Sequence, residues 1–368
     1  MMSGTSLDGI DAVVVEITST NSRLYLDTLA FASASFPLSL LDELQTLQSP
    51  CPDELHLSCL AANSLAQAYA KVANEALRKA NKAPHEVTVI GAHGQTIRHR
   101  PEHRYSVQLL NGARLAELTS IDTACDFRAA DLAADGEGAP LAPGFHAEVF
   151  SHPALTRCIV NIGGIANVTR LTPANAHPPI GFDTGPGNTL MDYWCRKNTG
   201  NSFDKDGTWA NSANFDETLL QSFMSDSYFQ RAGPKSTGRD SFHAEWLNRH
   251  LVAFPTIAAN VVQATLLELT ARTIAAEINA APADEVYVCG GGAFNKALFG
   301  RLTSLTKPAK LFTTSELGID PQSVEALAFA WLAYKRVNLQ PANLPSVTAA
   351  KGLRILGALH KASAVKAP

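Results

Sequence analysis

Asp183 is the residue whose neighbours best suit it to acid–base chemistry. It follows the short apolar run Ile180–Phe182 and precedes Thr184-Gly185-Pro186-Gly187-Asn188, so a carboxylate sits where a strand gives way to a turn. Facing a cleft, such a carboxylate serves as a general base. The helical pattern that begins at Thr189 offers an equally good alternative, an aspartate that caps a helix. His93 and Gln95 follow a second apolar run, Val87–Ala92, and are candidates to line a polar ligand site. A satisfied core or loop histidine is the plainer reading of His93. Thr96 adds a hydroxyl beside them. Asp126, Arg128 and Asp131 form a D-x-R-x-x-D cluster that is either ligand-binding or a structural ion pair. Lys235 and Arg239 suit an anionic ligand or a solvated turn. Glu325 falls in the first turn of a helical pattern, where a negative side chain also favours the helix dipole. Asp204-Lys205-Asp206-Gly207 begins like a calcium loop, but the glycine comes too early and no Glu closes it, so a solvated turn is expected.

Two familiar phosphate-binding patterns are absent. There is no G-x-x-x-x-G-K-[ST], since Gly233-Pro234-Lys235-Ser236 lacks the loop, and no G-x-G-x-x-G follows the first strand. Three separate glycine turns stand instead. The first runs Gly4-Thr5-Ser6-Leu7-Asp8-Gly9 and continues into Ile10 and Asp11. Glycines let backbone N–H groups approach phosphate oxygens, and hydroxyls add donors. The second, Asn161 to Thr169, carries Gly163, Gly164 and Asn167 and fits a tight hairpin approached by a ligand. The third places Gly290, Gly291 and Gly292 between a strand and a helix, at a helix start rich in N–H donors. Each alone reads as well as an ordinary turn. In this order they resemble the two phosphate turns and the adenosine-side turn of the actin/hexokinase superfamily.

The elements that must position these residues alternate in type. Strands are expected at Val13–Ile17, Tyr25–Phe31, Val87–Ala92, Arg157–Ile162, Asn167–Leu171, Ile180–Phe182, Glu285–Cys289 and Lys310–Thr313. Helices are expected at Asp53–Ala80, Gly112–Leu118, Thr189–Thr199, Phe215–Ser222, Thr256–Ala281, Asn295–Leu305 and Gln322–Asn338, with Asp53 and Asp320-Pro321 as caps. That alternation predicts an α/β fold with mixed sheets. Two glycine-rich strand ends of similar kind hint at a duplicated fold with a cleft between its halves. The boundaries expected are 1–154 with a return segment at about 322–368, and 155–321.

Composition narrows the classes. A 368-residue chain is too long for one compact core, and 46% hydrophobic with 17% charged residues excludes global disorder. A net charge of −4 argues against a nucleic-acid partner. The start lacks a basic n-region and carries Asp8 and Asp11, unlike a signal peptide. The apolar stretch Thr256–Ile278 holds Glu268, Arg272 and Glu277, so it reads as a core helix and not a membrane span. Six cysteines without a C-x-x-C pair suggest reduced thiols in a cytoplasmic protein.

Taken together the segments MSGTSLDGIDAV, GAHGQTIRH, DFR with Asp131, GAPL, NIGGIANVT, GFDTGPGN, KSTGR and CGGGAFN, with the helix around Glu325, resemble one family, the anhydro-N-acetylmuramic acid kinases. They span nearly the whole chain. The resemblance implies a two-domain actin-like ATPase fold with an interdomain nucleotide cleft. It implies conversion of ATP, 1,6-anhydro-N-acetylmuramate and water to ADP and N-acetylmuramate 6-phosphate in cell-wall recycling, with Mg²⁺. Asp183 is then the catalytic base. Gly4 to Asp11, Gly163, Gly164, Asn167 and Gly290 to Gly292 bind the nucleotide, with Asp8 or Asp11 near the metal through water. His93, Gln95, Thr96, Asp126, Arg128 and Glu325 bind the sugar. A homodimer is implied, with no nucleic-acid or membrane partner. Two departures stand out. Family members carry a full strand before MSGTS where this sequence has Met1 and Met2, so a missing ladder partner for Val13–Ile17 is expected. The usual glycine pair before GAPL reads Asp135-Gly136-Glu137-Gly138. The alternatives are another small-molecule kinase of the same fold, such as a hexose or acetate kinase, and an actin-like or chaperone-type ATPase.

Overall fold

The computed structural model describes residues 1–4, 7, 9–20, 23–173, 176–238 and 241–362. The chain divides into two compact units, Met1–Val149 with Ser323–Pro368, and Phe150–Gln322. The sequence reading set these divisions at 154/155 and 321/322.

The first unit is built on an antiparallel hairpin, Ile10–Thr20 with Arg23–Ala34, in register from Ile10 opposite Ala34 to Thr20 opposite Arg23. The long helix Glu54–Ala80 packs on this hairpin with Ala61, Leu65, Tyr69, Ala73 and Ala76 buried at helical spacing. Its N-cap, Asp53, takes a left-handed conformation and makes no side-chain cap, contrary to expectation. Beyond the hairpin, Met2 exchanges both backbone hydrogen bonds with Asp11, and the Met1 carbonyl accepts from the His93 N–H. Only Ile90–Gly91 of the run Val87–Ala92 is strand, and the 3-10 turn Pro84–Glu86 precedes the run. Ile90–Gly91 runs parallel to Thr123–Cys125, which pairs antiparallel with Ala358–His360. A second hairpin, Gln95–Arg100 with Tyr105–Leu109, has no counterpart in the sequence reading. The helix Val324–Val337 starts after Ser323, and Asp320 caps the turn before it by accepting from the Gln322 N–H.

The second unit carries a five-stranded sheet in the order Lys310–Thr313, Glu285–Cys289, Arg157–Ile162, Ile165–Leu171, Ile180–Pro186. The last three form an antiparallel meander. Glu285–Cys289 lies parallel to Arg157–Ile162 and to Lys310–Thr313, and parallel neighbours need crossovers. The helices Ala259–Ala280 and Lys296–Leu305 precede those two strands. The core gathers Val160, Ile162, Val168, Leu190, Phe223, Trp246, Leu266 and Val288. Ala259–Ala280 is buried nearly all round, which explains its apolar sequence. Its one deeply buried carboxylate, Glu268, is matched by Arg272 at 2.7 Å and Arg301 at 2.6 Å. All six cysteines are free. Among the described residues no helix is long and apolar enough to cross a membrane. The α/β class predicted from alternation is the class observed.

Candidate active site

In the second unit, Asp183 lies within the strand Ile180–Pro186, opposite Asn167 and beside a bulge at Ala166/Asn167. It does not cap the helix Thr189–Thr199, whose N-cap is Asn188. Three contacts fix it. Its N–H donates to the Lys235 carbonyl at 3.0 Å, its carbonyl accepts from the Tyr228 hydroxyl at 2.7 Å, and its Oδ2 accepts from the Thr237 N–H at 3.0 Å. Burial raises its pKa to about 6, opposed by the Thr237 hydrogen bond. The group is therefore ionised yet basic near neutrality, as a proton acceptor must be.

The glycine turns of this unit converge. Gly163-Gly164 closes the hairpin from Arg157–Ile162 to Ile165–Leu171. Its two carbonyls accept from Gly187, Asn188 and Thr189, at 2.9, 2.8 and 3.1 Å. Asn188 Nδ2 reaches back to the Ile162 carbonyl. Gly290 has φ +78°, and a Cβ there would strike Asn161, while one on Gly292 would strike Ile162. These two glycines are thus demanded by close packing on the strand end. Gly163 and Gly291 are not: a Cβ would meet only the Ile165 carbonyl at 3.6 Å and Asn188 Nδ2 at 3.7 Å. Packing among the described residues therefore does not demand glycine at these two positions.

In the first unit, His93 and Arg128 are in direct contact. The Arg128 guanidinium can only donate, so at 2.9 Å His93 Nε2 must accept from it. Nδ1 then carries the proton and donates to the Ser3 carbonyl at 3.1 Å. Burial, then the Arg128 charge, pushes the His93 pKa down to about 3, so the ring stays neutral. Gln95 is fully buried and donates from Nε2 to the Gly4 carbonyl at 3.1 Å, while its Oε1 has no partner among the described residues. His93 and Gln95 thus brace the backbone of Ser3 and Gly4. Arg128 also donates to the Gly138 carbonyl at 2.8 Å; burial lowers its pKa to about 10, against the charges of Glu325 and Asp131. It stays charged. Thr96 is half-buried and accepts from Gln108. Asp126 is exposed with φ +54°. Asp131 belongs to the scaffold: it accepts from the Gly138 N–H, Asn343 and Thr348, each at 2.8 Å.

Of the first glycine turn, Thr5, Ser6 and Asp8 lie outside the described residues, as does Arg239. Leu7 has φ +56° and donates its N–H to the Gly4 carbonyl. Gly9 is required by the chain itself, since a Cβ would lie 2.8 Å from the Ala34 carbonyl. Ile10 is buried, and Asp11 is half-buried on the bridge to Met2. Lys235 is neither a solvated turn residue nor open to a ligand: it is 6% exposed and paired with Glu277 at 3.4 Å. Asp204 is likewise buried, accepting from the N–H groups of Trp209 and Ala210. Tyr69, which shares a 2.8 Å hydrogen bond with Ser3 Oγ, and Tyr228 and Thr237 beside Asp183 escaped sequence reasoning. Only the T-G turn next to Lys235 hinted at the last.

The model of the family described as anhydro-N-acetylmuramic acid kinase matches residues 1–362. A protein of that name from Thiobacillus denitrificans is 46% identical over 98% of this chain and 96% of its own length. One from Pseudomonas paraeruginosa is 45% identical over 98% of each. Among solved structures, the ADPNP-bound activator of 2-hydroxyisocaproyl-CoA dehydratase from Clostridium difficile is similar with a TM-score of 0.43 and 13% identity, over 90% of this chain and 96% of that one. Component A of (R)-2-hydroxyglutaryl-CoA dehydratase from Acidaminococcus fermentans gives 0.43 and 12%, over 89% and 99%. A family match over this length, with relatives at this identity, shows that the chain belongs to the anhydro-N-acetylmuramic acid kinase family.

Proposed function

We infer that this protein uses ATP and water to convert 1,6-anhydro-N-acetylmuramate to N-acetylmuramate 6-phosphate, in the cytoplasm, in the recycling of peptidoglycan. The observation that carries the reading is Asp183: a half-buried carboxylate with a pKa near 6, held on one oxygen by the Thr237 N–H. In the anhydro sugar O6 is bonded to C1, so no 6-hydroxyl exists to be deprotonated. Asp183 takes a proton from water while the water oxygen bonds to C1. The C1–O6 bond breaks, and its electron pair on O6 forms the new bond to the γ-phosphorus as the bond to the ADP oxygen breaks. The Asp183 proton then returns to solvent.

The remaining residues bind and orient. Arg128, fixed by His93 and Gly138, offers a planar guanidinium suited to the sugar's carboxylate. Glu325, Thr96, Gln95 and Asp126 supply acceptors and donors for hydroxyl and amide groups. Gly4 to Asp11, with Gly163, Gly164 and Asn167, receive the phosphates, and Gly290 to Gly292 the adenosine side. A bound Mg²⁺ would supply charge neutralisation at the phosphates. Asp11 is the described carboxylate of the first loop that suits it through water, and a phosphate-bound Mg²⁺ needs only one or two protein carboxylates. Among the described residues no cluster of three His, Cys, Asp or Glu forms a cage for a metal. A homodimer is the assembly we expect, and light scattering in solution tests it.

The deciding experiment is turnover in heavy-oxygen water with mass spectrometry of the products. Label is expected at the C1 hydroxyl and not in the transferred phosphate. Label in the phosphate would mean ATP hydrolysis and a separate ring opening, and label in neither would mean a conventional kinase.

A further inference from the structure

Lys235 sits in a polar chain that ends on Asp183. Its ammonium donates to the Arg231 carbonyl at 2.9 Å, pairs with Glu277 of the helix Ala259–Ala280 at 3.4 Å, and lies 5.0 Å from the centre of the Tyr228 ring. Tyr228 donates its hydroxyl to the Asp183 carbonyl. The Lys235 carbonyl accepts the Asp183 N–H, and two residues on, Thr237 supplies the N–H that meets the carboxylate. The segment from 233 to 238 thus lies along the strand Ile180–Pro186 like a short extra rung, and Lys235 is its buried anchor. An unpaired ammonium would not stay at such a depth, and Glu277 compensates it. Lys235 acts through position: Asp183's proton affinity is set by burial and by the Thr237 N–H.

We propose that Lys235 is a positioning residue for the Asp183 carboxylate, its ammonium clamped by Glu277, Tyr228 and the Arg231 carbonyl so that the Thr237 N–H is presented to Oδ2. This rests on Asp183 being the base. Among the described residues, the ionisable groups around that carboxylate are Tyr228 from the short helix Ser227–Gln230 and, beyond it, Arg231, Lys235 and Glu277; the paired strand contributes the neutral Asn167.

The test measures kcat, KM and the pH profile of kcat/KM for Lys235→Met, Lys235→Met/Glu277→Gln and Asp183→Asn. Removing the ammonium frees the 233–238 segment and weakens the Thr237 hydrogen bond, which favours the ionised carboxylate. Lys235→Met should lower kcat about 10- to 100-fold, leave KM for ATP within about twofold, and move the acid limb up by about one pH unit. The double variant also removes the orphaned Glu277 charge. It should melt near the parent protein and still show the displaced limb. A folded double variant with the parent's acid limb and kcat overturns the role of Lys235. Asp183→Asn separates the two ideas: substantial activity there would overturn the base assignment itself, whatever the Lys235 variants do.

Discussion

Replacing Asp183 by Asn should make the protein more stable as it makes it inactive. The carboxylate's pKa moves from 3.8 to about 6 on folding. Each unit is worth roughly 1.4 kcal/mol, so burying the charge costs about 3 kcal/mol at neutral pH. The residue is partly open to solvent, which trims the figure to about 2 kcal/mol. The sign follows from proton binding. The folded carboxylate holds its proton more tightly than the unfolded chain does, so the penalty is absent below about pH 4. It grows as pH rises from 3.8 to about 6, and is complete above that. Asn keeps the size and still accepts from the Thr237 N–H, but carries no charge. Its melting temperature at pH 8 should exceed the parent's by roughly 4–8 °C, and the advantage should fall to about half at pH 5. Turnover should drop about 10²- to 10⁴-fold, the usual contribution of a positioned base. Paired melts at both pH values check this. An Asn variant no more stable at pH 8, or a gain independent of pH, would refute the account of how burial tunes this carboxylate.

Gly163→Ala and Gly291→Ala should leave the melting temperature nearly unchanged while raising KM for ATP, because a Cβ at either site makes only an ordinary van der Waals contact with the chain. Gly292→Ala should instead destabilise by about 1–3 kcal/mol through its collision with Ile162, seen in denaturant unfolding. Asp131→Asn should cost about 2–3 kcal/mol, since an amide cannot accept from Gly138, Asn343 and Thr348 on both oxygens, and thermal melts read that loss while KM for ATP stays put. Arg128→Lys should raise KM for the anionic sugar about tenfold or more with KM for ATP little changed, because an ammonium cannot hold the two-point geometry on His93 and Gly138.

The strongly patterned parts of the fold were legible. The meander Arg157–Ile162, Ile165–Leu171, Ile180–Pro186 and the helix Glu54–Ala80 follow from apolar runs and helical spacing that tertiary contacts reinforce. Gln95–Arg100 was not, because Arg98, His99 and Arg100 hide its period of two, and neither was Tyr105–Leu109, a five-residue strand whose Tyr105 and Val107 are exposed. The expected Asp53 cap is not made, and its backbone is left-handed there instead of the extended conformation an N-cap residue typically takes. The chemistry-bearing types at Asp183, His93 and Arg128 could be read from the chain. What each one touches could not. Whether His93 meets a ligand or a carbonyl depends on Ser3, 90 residues away, and no local spacing encodes that. Lys235 misled for a related reason: its partner Glu277 comes from a distant helix, so a charged residue in a turn looked solvated.

The neutral ring of His93 gives the two halves of the proposed chemistry different responses to acid. With its pKa driven to about 3, His93 keeps the same tautomer, and hence the same grip on Arg128, down to pH 5. Arg128 holds its charge throughout that span. Asp183 does not share this indifference, since it begins to take up a proton near pH 6. A mildly acidified cell would therefore throttle this enzyme at the turnover step while leaving intact the grip on the sugar's carboxylate proposed for Arg128. Substrate would stay captured on an idling catalyst, and flux would resume as soon as the pH recovered.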